Sequence, residues 1–137
     1  MPTKGVVIAV DVGTVRVGVA ASDPHRILAS PVETVVAPGL QRVAEIVAER
    51  SAVLVVVGLP TSLSGRAESA SAAMARDWAA ELSHLLTVPV ELVDERLTTV
   101  TATQALRTAG KRGRQSRALI DQAAAVALLQ SVLDRRE

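Results

Sequence analysis

The chain has 137 residues, of which 49% are hydrophobic and 21% are charged, and its formal net charge is +1. A chain of this size and apolar content can bury one substantial core, so we expect one domain over residues 1–137. It has no cysteine, which excludes disulfides, thiolate nucleophiles and cysteine-based zinc sites. The two histidines, His25 and His84, are isolated in the sequence, which argues against a histidine-rich metal site or a Ser-His-Asp triad. Any bound metal must therefore have oxygen ligands.

The N-terminal apolar stretch is too short to be an export signal or a membrane span. It runs from Val6 to Val10 and is then interrupted by Asp11. A membrane-spanning helix needs about 20 apolar residues, and no run in the sequence approaches that length. We therefore expect a cytoplasmic protein that does not associate with a membrane.

The first half of the chain alternates between strand and helix patterns. An apolar run from Gly5 to Val12 predicts a strand, and the alternation from Val15 to Ser22 predicts a second, with a hairpin turn at Gly13-Thr14. On the second strand, Val15, Val17, Val19 and Ala21 would share one face. A short third strand is predicted over Val32 to Val36, and after Pro38-Gly39 the helical spacing of apolar residues continues to about Arg50.

The second half continues the alternation. The β-branched run from Ala52 to Gly58 is typical of a central strand that is covered on both faces. A helix is predicted from about Ala67 to Leu86, with an apolar side formed by Met74, Trp78, Leu82 and Leu85, and it is followed by a strand from Val88 to Val93. Helices over Thr101 to Ala109 and about Ser116 to Leu133 complete the chain. The order of elements predicts an α/β fold, with a five-stranded mixed sheet and helices on both faces.

Three carboxylates stand beside these apolar elements. Asp11 ends the first strand, Glu95 follows the last strand, and Asp121 lies near the start of the last helix. Sites in α/β sheets gather at the carboxyl ends of parallel strands, and residues 121, 125, 128 and 132 share one helical face, so the three could converge. Charges in apolar surroundings need a partner, for which a divalent cation is suited. Each acid also has an ordinary explanation: a turn residue for Asp11, an ion pair with Arg96 for Glu95, and a favourable helix-dipole position for Asp121.

A basic segment precedes the last helix. Residues 107–117 contain five cations, two glycines and no acid. Because glycines interrupt helices, we interpret this segment as a mobile basic loop that contacts phosphates, the alternative being a solvated charged loop. The chain lacks Phe and Tyr and has one Trp, so it offers little for stacking unpaired bases. A nucleic-acid partner would be recognised by backbone and shape more than by sequence.

Four motifs in the chain resemble those of the YqgF/RuvX family. They are DVGTVRVGVA from Asp11, GLPTSLSG from Gly58, DERLTT from Asp94 and IDQAAA from Ile120, and they occur in the family's order across nearly the whole chain. The resemblance implies the ribonuclease H-like fold that the family shares with the Holliday junction resolvase RuvC. It also implies a nuclease that matures the 5′ end of pre-16S rRNA in ribosome biogenesis, resolves Holliday junction DNA, or does both.

Position by position, the resemblance implies that Asp11, Glu95 and Asp121 are the catalytic and metal-binding acids. Oxygen ligands favour Mg²⁺ or Mn²⁺, and two such ions about 4 Å apart could activate water for in-line hydrolysis of a phosphodiester. The candidate nucleic-acid-binding residues are Arg16, Arg96, Lys111, Arg112, Arg114 and Arg117. The chain departs from the family at Val15, where a basic residue is common, which weakens one expected phosphate contact beside Arg16.

Other functions stay open at this point. The main alternative is a catalytically weak RNA-binding protein that assists ribosome assembly and uses the basic segment for docking. The Asp-x-Gly-Thr motif at Asp11 also resembles the first phosphate loop of sugar kinases and actin-like ATPases, although those need two such domains and this chain has room for one. Symmetric cutting of a junction would need two sites and hence a homodimer. Asp23, at the end of the second predicted strand, is a further candidate ligand.

Overall fold

A computed structural model describes residues 5–60, 70–94 and 113–135, with side chains from residue 122 onward in the last range. Five strands form one mixed sheet in the order β3-β2-β1-β4-β5. They are β1 (Val7–Val12), β2 (Arg16–Ser22), β3 (Ala29–Val36), β4 (Leu54–Leu59) and β5 (Val90–Asp94). The pairs β1-β2 and β2-β3 are antiparallel, whereas β1-β4 and β4-β5 are parallel. The predicted five-stranded mixed sheet is confirmed.

Helices cover both faces of this sheet, as predicted. They are α1 (Leu40–Glu49), α2 (Ala70–Leu85) and α3 (Gly113–Arg135). Helices α1 and α2 pack on one face, which we call the helix-pair face, and α3 packs on the other, the α3 face. The helix predicted over Thr101 to Ala109 lies outside the described residues. None of the helices in the described part of the chain has the length and apolarity that crossing a membrane requires.

The hairpin between β1 and β2 forms at the predicted turn. The Gly13 NH donates to the Arg16 carbonyl at 2.9 Å, and a Cβ at Gly13 would lie 2.6 Å from that oxygen, so only glycine fits without a shift of the backbone. Val15, predicted to share a face with Val17 and Val19, is instead 63% exposed, because it lies in the turn before β2 begins. The other alternating positions of β2 are placed as predicted.

The edge strand β3 is longer than predicted and irregular. It begins at Ala29 rather than Val32, and the pairing register with β2 shifts between Val19 and Ala20, where Ala20 pairs with Pro31. On the helix-pair side, the Arg42 guanidinium of α1 donates to both carboxylate oxygens of Glu33, at 2.8 and 2.9 Å, and so ties α1 to this edge.

The β1 side chains alternate between two apolar cores. Ile8 and Val10 lie in the core of the helix-pair face, whereas Val7 and Ala9 lie in that of the α3 face. Helix α2 contributes Trp78 and Leu82 to the first core, as predicted. Leu85, predicted on the same apolar side, is 51% exposed because the helix ends there, and Leu86 in the following loop packs against the core instead.

Helix α3 begins earlier than predicted and corrects part of the basic-loop prediction. It starts at Gly113, so residues 113–117 are helical rather than loop. A glycine at the first helical position costs little, because the conformational-entropy penalty of glycine applies mainly to the interior of a helix. The preceding residues 107–112 lie outside the described residues.

Candidate functional site

The candidate site is built around Asp11, at the carboxyl end of β1. Because side chains alternate along a strand, Asp11 projects to the same side as Val7 and Ala9, toward α3, and it is partly buried. In the sheet register Asp11 pairs with Gly18 of β2, and Gly18 pairs with Thr34 of β3. The predicted carboxylate therefore lies in a row that crosses three strands, next to a residue without a side chain.

Arg16, a predicted nucleic-acid-binding residue, lies close to Asp11 in the sheet. It lies two residues before Gly18 on β2, so alternation puts it on the α3 face, diagonal to Asp11 on the neighbouring strand. Diagonal neighbours on adjacent antiparallel strands have Cβ atoms about 7 Å apart, within reach of an arginine side chain. A carboxylate and a guanidinium thus share one face at one end of the sheet.

Position 121 lies at the level of the same row. Gln122, the next residue of α3, donates from Nε2 to the Thr34 Oγ1 at 2.8 Å, and Thr34 belongs to the Asp11 row. Further along α3, Ala125 and Leu128 are fully buried and Val132 is nearly so, which confirms the predicted inward face of this helix. The Asp121 side chain itself is outside the described part of the chain.

The remaining candidates lie outside the described structure. This applies to Glu95, Arg96, Lys111 and Arg112, and to the side chains of Arg114 and Arg117, whose backbone is in α3. Among the described residues, no group of three acids or histidines could hold a metal ion. Of the predicted metal ligands, Asp11 is thus the one whose side chain the structure places.

Two acids, Asp94 and Glu95, are adjacent in the sequence at the end of β5, and the strand's alternation shows on which side of the sheet Asp94 lies. Val93 packs against the core of the α3 face, whereas Val90 packs against that of the helix-pair face. By alternation Asp94 belongs with Val90, on the side of the sheet away from the side chain of Asp11. Asp94 is therefore a poor partner for Asp11, and the sequence prediction did not include it.

Asp23 is excluded from the site. It follows the far end of β2, and the seven residues of that strand span roughly 20 Å. Its carboxylate accepts hydrogen bonds from the backbone NH groups of Leu28, Ile27 and His25, at 2.8, 2.8 and 3.0 Å, and these bonds lower the pKa of Asp23 below its ordinary value, the Leu28 bond having the largest effect. Asp23 therefore orders the loop between β2 and β3.

The potential ligands near Asp11 are oxygen donors. The chain has no cysteine. Both histidines lie at the end of the sheet opposite to Asp11: His25 is in the loop after β2, and His84 is in the last turn of α2, just before the loop that leads into β5. A carboxylate at a strand end with no nearby imidazole or thiolate suits a hard divalent cation such as Mg²⁺ or Mn²⁺. The residues present thus fit the predicted type of metal.

The helix-pair face at this end of the sheet has a different character. A depression of about 230 Å³ is lined there by residues that include Gly13, Pro38 and Trp78. The groove beside it carries the carboxylates of Asp77 and Glu81. Carboxylates on this surface disfavour a polyanion there.

Sequence reasoning missed the Gln122–Thr34 pair. The two residues are 88 positions apart, and neither belongs to a pattern of charge or spacing that indicates a contact. The nearest signal was the run of alanines beside Gln122, which indicated close approach of α3 to the sheet.

Two solved structures identify the class of fold. A chain of Thermus thermophilus RuvC in complex with a Holliday junction substrate superposes with a TM-score of 0.59 at 16% identity, covering 96% of this chain and 95% of that one. A second structure of Thermus thermophilus RuvC has a TM-score of 0.57 at 18% identity, with the same coverage. The fold is therefore ribonuclease H-like, as predicted.

Sequence comparison identifies the family. The family described as "RuvX: Holliday junction resolvase" matches residues 5–135, so the chain belongs to the RuvX family. A protein of Mycobacteroides abscessus named "Putative pre-16S rRNA nuclease" is 52% identical, covering 98% of this chain and 84% of its own length. One of the same name from Mycobacterium leprae is 54% identical, covering 98% of this chain and 75% of its own length. The predicted family resemblance is confirmed.

Proposed function

We propose that this protein is a metal-dependent endonuclease that hydrolyses phosphodiester bonds in structured RNA or branched DNA. The observation that carries the proposal is the placement of Asp11 and Arg16 on the α3 face, at the carboxyl end of the central strand β1. The relatives' name favours the 5′ end of pre-16S rRNA as substrate, and the family description favours Holliday junctions. Residues 1–137 would act as one nuclease domain in the cytoplasm.

Asp11, Glu95 and Asp121 are the proposed ligands of Mg²⁺ or Mn²⁺. Val93, two residues before Glu95, packs on the α3 side, and position 121 lies at the level of Asp11, which supports the choice of these two acids. One or two bound cations would supply a nucleophilic water and neutralise the charge that develops on the leaving oxygen. The carboxylates would hold the cation, and no protein nucleophile is required.

Arg16 is the proposed phosphate-positioning residue within the described site. A guanidinium diagonal to Asp11 can donate two hydrogen bonds to a phosphate and hold the scissile bond over the carboxylate. Arg96, Lys111, Arg112, Arg114 and Arg117 are proposed to contact more distant phosphates. Because water is the attacking group, the 2′-hydroxyl is not needed, and the same site can cut RNA or DNA.

The test compares the wild type with Asp11→Asn on two labelled substrates, a precursor rRNA 5′-end fragment and a four-way DNA junction, each with Mg²⁺, Mn²⁺ or EDTA. We expect cleavage of at least one substrate that requires metal and falls by at least about a hundredfold in the variant, since a neutral amide holds a divalent cation poorly. Asp23→Asn is the matched control: it also neutralises an acid at the end of a strand, but at the far end of β2.

The outcomes separate the candidate functions. Cleavage that is lost with Asp11→Asn and kept with Asp23→Asn supports the nuclease, and the preferred substrate shows which of the two names applies. Tight binding without cutting of either substrate would contradict it and favour the ribosome-assembly alternative. Paired symmetric cuts in the junction, with a dimer seen by sedimentation, would show that two copies act together.

A further inference from the structure

We propose that Gln122 and Thr34 are positioning residues that hold α3 in register with Asp11, an inference that rests on the proposed function. The Gln122 side chain reaches from the helix to the edge strand β3, and its Nε2 donates to the Thr34 Oγ1 at 2.8 Å. Thr34 shares a sheet row with Asp11 through Gly18. The hydrogen bond thus links the residue after Asp121 to the row that carries the other acid.

The packing of α3 near Gln122 indicates what this hydrogen bond contributes. Among the α3 side chains that the structure describes, which begin at residue 122, the fully packed ones are Ala125, Leu128, Leu129, Val132 and Leu133, and Ala125 is the one nearest to Gln122. The strands β1 and β2 present the small residues Ala9, Ala20 and Gly18 to this part of α3. Contacts between such small groups allow close approach of the helix, but each is weak and has no preferred direction. The Gln122–Thr34 hydrogen bond adds a directional contact at this level of the helix, next to position 121.

A metal site is sensitive to a shift in the register of the helix. Hard cations require their oxygen ligands at closely defined distances, and groups that orient ligands affect metal affinity strongly when they are removed. Sliding by one residue would move position 121 by about 1.5 Å along the helix axis. The Gln122–Thr34 pair would therefore act on metal affinity through the backbone of α3, without itself contacting the cation.

The same helix contains a matched control. Gln130, eight residues later, also bonds to the β3 region: its Oε1 accepts from the Ala29 NH at 2.9 Å, and its Nε2 donates to the Ile27 carbonyl at 3.0 Å. It lies about 12 Å further along the helix, near the loop at the far end of β2. Loss of Gln130, which also donates to Asp134, should cost at least as much stability as loss of Gln122 but leave the register at position 121 less affected.

The experiment measures Mn²⁺ binding by electron paramagnetic resonance without substrate, together with thermal unfolding, for the full chain. Gln122→Met and Thr34→Val, which keep side-chain size but remove the bond from either side, should each weaken binding by about tenfold, the scale of one lost hydrogen bond. The double variant should be no weaker than either single variant, because both remove the same bond. Thr34→Ser, which retains a hydroxyl, should restore affinity, and Gln130→Met should bind Mn²⁺ like the wild type.

The results distinguish this inference from the proposed function. Equal weakening in Gln122→Met and Gln130→Met, or no weakening in Gln122→Met and Thr34→Val, would overturn the positioning role alone, provided that Asp11→Asn abolishes binding. If the wild type and Asp11→Asn bind Mn²⁺ equally, the metal site on Asp11 is refuted and the positioning role with it. If Gln122→Met does not fold, Thr34→Val tests the same bond.

Discussion

The two faces of the sheet are packed with side chains of different size. The core of the helix-pair face includes the largest buried side chains of the described residues, among them Trp78, Ile46 and Leu82. Among the described residues of the α3 face, leucines and valines pack at one end, and the small residues Ala9, Ala20 and Ala125 lie toward the end that carries Asp11. Since large buried side chains contribute most to stability, we expect the described core of the helix-pair face to contribute more to the free energy of unfolding than the small residues near Asp11 do.

The difference teaches that stability and the site can be separated experimentally. A defect on the helix-pair face should lower the free energy of unfolding and leave the folded fraction active. A defect of the same size beside Ala125 should also displace the helix that carries Asp121.

The largest expected effect on stability is that of Leu82→Ala. Leu82 is fully buried in the core of the helix-pair face, so its truncation should cost about 2–5 kcal/mol of the free energy of unfolding. The single tryptophan, Trp78, lies in the same core and provides the fluorescence signal for a denaturant titration. Cleavage per folded molecule, measured at low temperature, should match the wild type. A loss of activity beyond the loss of folded protein would refute the separation of the two faces.

A smaller loss of stability, with a larger effect on the site, is expected from Ala125→Leu. The added side chain overfills the space under α3 and should cost about 1–3 kcal/mol. Because α3 must move outward, the Mn²⁺ concentration for half-maximal cleavage should rise about tenfold. Ala79→Leu, which overfills the helix-pair face at an alanine 6% exposed, is the matched control and should leave the metal requirement unchanged. If Ala125→Leu and Ala79→Leu needed the same Mn²⁺ concentration for half-maximal cleavage, the proposed functional difference between the two faces would be refuted.

The smallest effect is a pH dependence at the end of the sheet far from Asp11. Hydrogen bonds from Leu28, Ile27 and His25 lower the pKa of Asp23, so its ionised form stabilises the fold fully above the ordinary pKa of 3.8 and this contribution is lost as the pH falls through the lower folded value. Asp23→Asn should therefore melt slightly below the wild type at pH 7, and the difference should shrink below about pH 4. The exposed Asp77→Asn serves as control. A gap between Asp23→Asn and wild type that is constant with pH would contradict this account.

Much of the fold was predictable because it follows from periodicity. The hairpin at Gly13, the central strand β4 and the inward face of α3 each come from a local pattern of apolar residues or turn residues. The errors arose at element ends, where Val15 leaves the strand pattern, Leu85 lies past the last packed turn, and Gly113 begins a helix instead of preventing one. At the end of a strand or helix, the local pattern of apolar residues does not show whether the last side chain is buried in the core or exposed to solvent.

The candidate site was predictable in part. Asp11 and Arg16 could be placed together because they belong to one hairpin, whose register follows from its turn. The choice between Asp94 and Glu95 came from the family resemblance, and the structure adds support through the side on which Val93 packs. The Gln122–Thr34 bond depends on how a helix lies across three strands, which no local pattern of sequence encodes.

The irregular edge strand β3 has a consequence for self-association. An outer strand offers backbone groups to any extended chain, which is a route to aggregation. Pro31 has no NH to donate, and the register shift beside it breaks the regular spacing that a further strand would need. The sheet is thus hindered from growing by strand addition at β3, so any pairing of two copies there would have to use side-chain surfaces.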